Sequence, residues 1–548
     1  MASESSNPHQ EFITDLLLRL EQLNAIGVAL SRERDSTHLM QMILESAMAI
    51  THADGGTLYR VSEDGKTLNF ETLLTNSLNL RMGGNTGRDI VLPNLPMFDA
   101  QGKANSSLVA TYVATHKETV NIADVYSATQ FDFSGTRGFD ERMAYRMQSF
   151  LTVPMLNHEG EVIGVLQLIN AKSKEEGVVT SFSLADQSLA ESLASQAAIA
   201  LGHSKLIRQM EVLFESFINV INLTIEEKSP HTGEHCQRVP ELTMMLAEAA
   251  HLATEGPLGS FSMNDRDRYE LKIAGLLHDC GKVTTPVHVV DKESKLQTIY
   301  DRIGLIDTRF EVLRRDLEIK ILREQLALQP VIDQQTEATL SQSRDELLVT
   351  MEMDQQFLRQ ANLGSESMSL VDIQRVRDIS GKYRWQDAKG VERDFLTADE
   401  IENLTIRSGT LNANEREIIN QHIVATIKML EKLPWPRHLR NVPEFAGGHH
   451  ERMDGKGYPR GLKGEQMSVQ ARVMAIADVF EALTARDRPY KPGMKLSQAM
   501  GIMHKFKRNG HIDPDLFDVF VSQGVYLSYA HAFLEPWQVD EVDVQTLQ

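Results

Sequence analysis

Cysteine is nearly absent from this chain. Only Cys236 and Cys280 occur in 548 residues, so no disulfide framework can hold the fold. Long apolar runs are also missing. No stretch approaches 18 uncharged apolar residues, so no membrane-spanning helix is expected. Basic charge is in deficit, with 56 Lys and Arg against 76 Asp and Glu and a formal charge of −20. A broad cationic face for a nucleic-acid polymer is therefore excluded, because a phosphate backbone needs clustered cations. The first residues, MASESSNPHQEF, do not run from basic to apolar as a secretory leader does, and a cytoplasmic location is expected. What is present is ordinary globular material, 42% apolar and 24% charged, which excludes wholesale disorder. At roughly 150 residues per domain, the length points to several domains.

The pattern changes along the chain. A polar start runs into a helix, and a second helix covers Leu39 to Ala49. Two β-hairpins follow. TLYRV and LNFETLL are turned by Glu63-Asp64-Gly65, and SFLTVPML and EVIGVLQLIN by Asn157 to Gly160. Their arms are rich in β-branched and aliphatic residues and their turns are polar. A long helix then begins at about Ser183. Antiparallel hairpins between helices suggest an α+β sensor.

The helical pattern continues past Gly202 to about Glu227. Leu206, Met210, Leu213, Phe217 and Val220 are spaced 4, 3, 4, 3. This is either the seam of a parallel two-helix stalk or one stripe of a helix buried in its own domain. Residues 231–290 read as helices. From 297 to 360, Ile299, Ile303, Ile306, Phe310, Leu313 and Leu317 form one amphipathic run. Leu347, Met351 and Phe357 mark another beyond Pro330, which predicts an antiparallel helical hairpin. A small β-hairpin is expected around Asp387 to Gly390, and helices from about Asn414 to 530.

The strongest chemical signal is a scattered set of histidines and aspartates. It comprises HTGEH (231–235), HDCGK (278–282), His422, HHERMDGKGYPRGL (449–462) and Asp478 in IADVFEALTARDRPYK. Imidazole and carboxylate together suit iron, manganese or zinc. Each piece alone is weak, since a lone helical histidine is more often packed or exposed. The ordered set is hard to attribute to chance.

Over about 222–300 and 405–530 the chain resembles the HD-GYP branch of the HD-domain phosphohydrolases. HDCGK fits HD-x-GK, and HHERMDGKGYPRGL fits HHE-x-x-DG-x-GYP-x-GL at every fixed position. The resemblance implies an all-α domain that hydrolyses the bacterial second messenger cyclic di-GMP, to the linear dinucleotide or to GMP. It implies two or three transition-metal ions, iron first and manganese second. The ligands it implies are His235, His278, Asp279, His422, His449, His450 and Asp478, with Asp279 bridging two ions. Four residues before His235, where some members carry a ligating Glu and many a Tyr, stands His231. It either supplies an imidazole to a third ion or occupies the Tyr position.

A phosphodiester anion resists attack by another anion, and metal ions relieve that repulsion and activate water. Lys282 is suited to stabilising negative charge or protonating the leaving oxygen. Arg488 and Lys491 are suited to clamping phosphate. Gly455, Gly457 and Tyr458 form a tight loop that, by the resemblance, holds substrate. Singly, these glycines could equally mark a simple turn. One departure stands out. About 140 residues separate His278 from His422, an insertion at about 297–405 that could cover the site or add a dimer or partner surface.

Residues 20–205 resemble a GAF domain, on IADVYSATQFDF, SFLTVPMLNHEGEVIGVLQLINA and the closing helix. Asn170, Lys172, Phe182 and Asp186 match most of the signature of cyclic-nucleotide-binding GAF domains, with Gln187 in place of its Glu. The resemblance implies either a sensor for a cyclic nucleotide or other small ligand, or a purely dimerising domain. The expected architecture is a GAF sensor at 20–205, a connecting helix at 206–228 and an all-α phosphohydrolase domain at 229–548, assembled as a homodimer. Two other functions fit the same residues: a non-hydrolytic cyclic-dinucleotide receptor, or the same chemistry on cyclic GMP-AMP.

Overall fold

The computed structural model describes residues 8–33, 35–85, 88–173, 177–328, 334–364, 367–486 and 493–547, without the side chains of 8–16, 230–233, 328, 334, 336 and 337. The chain divides into two compact units, Met1–Phe214 and Glu215–Gln548. No helix among the described residues is long and apolar enough to cross a membrane.

The first unit begins with helices α1 (Pro8–Arg32) and α2 (Ser36–Thr51). Asp35 starts α2 by accepting the N–H groups of Thr37 and His38. Eight strands then form one sheet: β1 (Ala53–Val61), β2 (Thr67–Thr75), β3 (Leu80–Gly83), β4 (Leu95–Pro96), β5 (Val120–Ile122), β6 (Phe150–Leu156), β7 (Val162–Lys172) and β8 (Val179–Thr180). The main path is β3-β2-β1-β7-β6-β5, with β4 beside β2 and β8 beside β7. Helices α3 (Val109–His116) and α4 (Ser134–Met143) lie between strands in sequence. Both expected hairpins form, β1 with β2 and β6 with β7, and Gly65 and Gly160 adopt positive φ in their turns. Central β1 is buried on both faces through Tyr59, because an apolar core lies on each side of the sheet. One core receives α1, α2 and the start of α5, and the other receives α3 and its flanking loops.

Helix α5 (Leu184–Lys228) is a single element of 45 residues, about 67 Å long at 1.5 Å per residue. Its first turns are buried through Leu189, Leu193 and Ala197. Leu206, Met210, Leu213, Phe217 and Val220 are 53–70% exposed, so this stripe is not buried within its own chain.

The second unit is mainly helical: α6 (Pro230–His251), α7 (Asp265–Leu277), α8 (Val287–Val290), α9 (Ile303–Leu328), α10 (Gln334–Asn362), α11 (Leu370–Lys382), α12 (Ala398–Leu404), α13 (Ala413–Leu430), α14 (Val442–Gly447), α15 (Val469–Thr484), α16 (Leu496–Arg508), α17 (Pro514–Ser522) and α18 (Val525–Phe533). Asn264 and Asn412 start α7 and α13 with reciprocal capping boxes, and Ser468 caps α15. Helices α9 and α10 pair antiparallel, since Asp307 meets Arg359 at 3.0 Å and Arg314 meets Glu352 at 2.7 Å. The expected small hairpin is β9 (Arg384–Gln386) with β10 (Glu392–Asp394). Helices α11 and α12 add to what the insertion was expected to contain, and Pro330 lies outside the described residues. The segment has a hydrophobic core of its own, including Phe310, Leu358, Val376 and Phe395. Buried Lys292 ties it to α13, its Nζ donating to Asn403 Oδ1 at 3.2 Å and pairing with Glu415 at 2.7 Å.

Candidate metal centre

Seven side chains from five places in the second unit converge. His235 comes from α6, His278 and Asp279 from the end of α7, His422 from α13, His449 and His450 from the end of α14, and Asp478 from α15. Three overlapping groups have donor atoms within 4.8 Å of one another: His235, His278 and Asp279; His278, His449 and Asp478; and His422, His449 and His450. Asp279 lies between the histidine sets. Its Oδ1 is 3.2 Å from His422 Nε2, and its Oδ2 is 3.2 Å from His235 Nε2 and 3.3 Å from His278 Nε2. Asp478 Oδ1 is also 3.2 Å from His235 Nε2.

The local sequence explains this convergence. Gly281 follows Asp279 in a 3-10 turn that lies directly on α13. A Cβ there would overlap the carbonyl of His422, so only glycine lets Asp279 and His422 approach. Gly447 and Gly448 do the same for the paired histidines, since a Cβ on either would sit 2.8 Å from Ile427 or Ala471.

The imidazoles are held by their far nitrogens. Nδ1 of His278, His422 and His449 lies 2.6, 2.5 and 2.6 Å from the carbonyls of Gly275, Ile419 and Ala446. A carbonyl only accepts, so each Nδ1 carries the hydrogen and each Nε2 offers a lone pair to the centre. His235 Nδ1 is instead 2.5 Å from Glu481 Oε2.

These residues fit transition-metal ions on the structure's own terms. Donors about 2.1 Å from a shared ion lie roughly 3.0–3.4 Å apart at tetrahedral or octahedral angles, the range seen around Asp279. Both carboxylate oxygens of buried Asp279, and Nε2 of buried His449, lack a well-directed hydrogen bond. Such groups are costly unless a cation satisfies them. Carboxylates, lysine and burial set the charges around the centre. Burial opposes charge on His235, yet Glu481, Asp279 and Asp478 outweigh it and hold its pKa well above the imidazole range. Burial and the neighbouring His278 push His449 down to about 4, and burial and His449 push His450 well down. Burial would raise Asp279, but Lys282, with Nζ 2.6 Å from Oδ2, and His278 hold it well below the carboxylate range.

Tyr458 stacks on His450 with centroids 4.8 Å apart. Its loop is anchored by buried Glu451, which accepts the N–H groups of Arg460 at 2.7 Å and Leu462 at 2.9 Å. Gly457 packs against the Glu451 and Arg452 backbone with no room for a Cβ, and Gly455 has φ of 76°. Arg488 and Lys491 lie outside the described residues. So does the side chain of His231, whose backbone opens α6. Sequence reasoning missed Glu481, Arg238 and Glu451. The first two had a signal, each lying three residues beyond a metal-type residue on the same helix face (Asp478 and His235).

The sensor residues are engaged by the protein. Asn170 Oδ1 accepts from the Gln148 N–H at 2.7 Å, and its Nδ2 donates to the Arg146 carbonyl at 2.8 Å. Lys172 pairs with buried Asp54 at 2.5 Å, and Phe182 is core. Asp186 accepts from Ser183 and from Arg19.

The GAF domain family matches residues 35–201, and HD domain families match 232–337 and 397–516. A 3'3'-cGAMP-specific phosphodiesterase of Vibrio cholerae is 39% identical over 132 residues, covering 24% of this chain and 30% of that one. A cyclic di-GMP phosphodiesterase of Pseudomonas aeruginosa is 49% identical over 79 residues, 14% of this chain and 18% of that one. The matches thus span less than a third of either relative. Among solved structures, the GAF domain of an Acinetobacter phosphoenolpyruvate-protein phosphotransferase is 17% identical, covering 35% of this chain and 96% of its own, with a TM-score of 0.25.

Proposed function

For a chain that carries a GAF domain followed by HD domains, we propose a metal-dependent phosphodiesterase that opens a cyclic dinucleotide, with cyclic di-GMP as the substrate. The observation that carries this reading is Asp279: a buried carboxylate, paired with the Lys282 ammonium but with no well-directed hydrogen bond at either oxygen, between histidines from three helices. His235, His278, Asp279, His422, His449, His450 and Asp478 would hold two ions, and His231 a third. Bound there, such ions supply Lewis acidity toward phosphate oxygens and activate water near neutral pH.

The chain's own groups do the rest. Asp279 and Asp478 bring two negative charges to a site otherwise lined by imidazoles, which would offset part of the charge of bound dications. Half-buried Lys282, already 2.6 Å from Asp279, keeps that carboxylate ionised and adds a cation beside the reacting phosphate. The Tyr458 ring, backed by His450, offers a flat apolar face for a base or ribose, and the glycines around it let a ligand approach the backbone. Arg488 and Lys491 supply cations for the second phosphate. The neighbouring reading, 3'3'-cGAMP as substrate, is favoured by the names of three relatives. Metals and cations that grip phosphates do not by themselves distinguish guanine from adenine.

The sensor acts through α5, the covalent route into the phosphodiesterase unit. The exposed stripe from Leu206 to Val220 pairs with a second copy as a parallel stalk, and the GAF domain tunes the site by shifting that pairing. The test is metal analysis of anaerobically purified protein, with product analysis on cyclic di-GMP, 3'3'-cGAMP and cyclic di-AMP. Asp279→Ala should abolish hydrolysis and lose at least one ion while the circular dichroism spectrum is retained. Full activity with unchanged metal content would refute the assignment.

A further inference from the structure

The imidazoles of the centre are not equivalent. His278, His422 and His449 each rest on a backbone carbonyl three residues earlier. His235 rests on a charged group, the Glu481 carboxylate at 2.5 Å. Glu481 is 1% exposed, and its other oxygen is held by Arg238 at 2.7 Å. A carboxylate behind an imidazole fixes its tautomer and raises the basicity of the opposite nitrogen more than a neutral carbonyl does.

The aspartate oxygens are shared unevenly as well. Asp279 Oδ2 and Asp478 Oδ1 both lie 3.2 Å from His235 Nε2. On the other side, His422, His449 and His450 form a set of three imidazoles. There Asp279 Oδ1 is 3.2 Å from His422, and Asp478 Oδ2 is 3.9 Å from His450 Nδ1. One position therefore has two close carboxylate oxygens and an imidazole reinforced by a third carboxylate. The other has one close carboxylate oxygen, and no carboxylate stands behind its His422 and His449 rings, whose far nitrogens rest on backbone carbonyls.

We propose, resting on the reading that these residues hold metal ions, that the two positions bind unequally. The position at His235, His278, Asp279 and Asp478 fills first, with Glu481 as its positioning residue. The position at His422, His449 and His450 fills second. A one-ion form is then a distinct species, and any activity that needs both ions follows occupancy of the weaker position.

The test uses the full chain stripped of metal and titrated with Mn2+. Equilibrium dialysis counts ions, and electron paramagnetic resonance separates isolated ions from coupled pairs. Wild-type protein should show an uncoupled six-line signal up to one ion per chain, with the broad coupled signal growing only beyond that point. Glu481→Gln keeps the size and removes the charge. It should weaken the first phase by about ten- to a hundredfold, leave the second in place, and bring the coupled signal in early. Coupled pairs from the first addition to wild type would overturn the proposal. So would a Glu481→Gln protein in which both phases shift equally or neither shifts. If that variant does not fold, the wild-type titration decides alone. A chain that binds neither Mn2+ nor, under anaerobic conditions, Fe2+ overturns the phosphodiesterase reading together with this one, whereas binding in a single class of sites overturns only this one.

Discussion

Lys295, just ahead of the insertion, is a charge buried against it. It is 1% exposed and has no carboxylate partner among the described residues. Its Nζ reaches only the Leu404 carbonyl at 3.3 Å and the Met368 sulfur at 3.5 Å. Burial pushes its pKa down to about 8 from 10.5. One pKa unit corresponds to about 1.36 kcal/mol, so holding Lys295 charged in the folded state near pH 7 costs about 3 kcal/mol. The sign follows from proton binding. Between pH 8 and 10.5 the unfolded chain keeps a proton that the folded chain has released, so this cost fades and stability rises with pH across that window. Lys295→Met removes the charge and packs a thioether beside Met368. Losing the bond to Leu404 costs about 1 kcal/mol, leaving a net gain of about 2 kcal/mol at pH 7, a rise of a few degrees in Tm. The assay is thermal unfolding of both proteins by circular dichroism at pH 7.0 and pH 9.5. The variant's advantage should be present at pH 7.0 and shrink at pH 9.5. A variant that melts lower than wild type at pH 7.0, or keeps the same advantage at both pH values, would refute the reasoning.

Gly281→Ala places a methyl against the His422 carbonyl and 2.6 Å from the Thr426 N–H, so the turn carrying Asp279 must lift from α13. Loss of at least 2 kcal/mol in urea unfolding and loss of bound metal are expected together; wild-type metal content would count against the argument. Leu213→Glu with Phe217→Glu puts charges into the exposed stripe of α5 and should convert a dimer to monomers by light scattering at micromolar concentration. A wild type that is already monomeric, or a double variant that remains dimeric, would dispose of the stalk.

Much of this protein could be read along the chain. The two sensor hairpins announce themselves by polar turns at Gly65 and Gly160 between β-branched arms, because strand alternation and turn chemistry are local. Most of the histidines and aspartates of the centre stand in short distinctive strings such as HDCGK and GGHHE, whereas His422 is a lone helical histidine that only the family resemblance picked out. That the stripe from Leu206 to Val220 repeats as a heptad is also a property of sequence. Whether that stripe is covered by its own chain is not, and only the fold leaves it bare. The same limit applies to Glu481 and Lys295. In sequence each is one charged residue among many, a Glu three places after an aspartate and a Lys near a serine. Burial turns the first into the support of His235 and strands the second without a counter-charge. Helix periodicity and turn propensity act over a few residues, so the sequence by itself determined the elements and the candidate ligands. Which nitrogen faces the centre, which carboxylate stands behind it and which charge loses its water depend on contacts between residues up to 246 positions apart, and only the tertiary structure decided them.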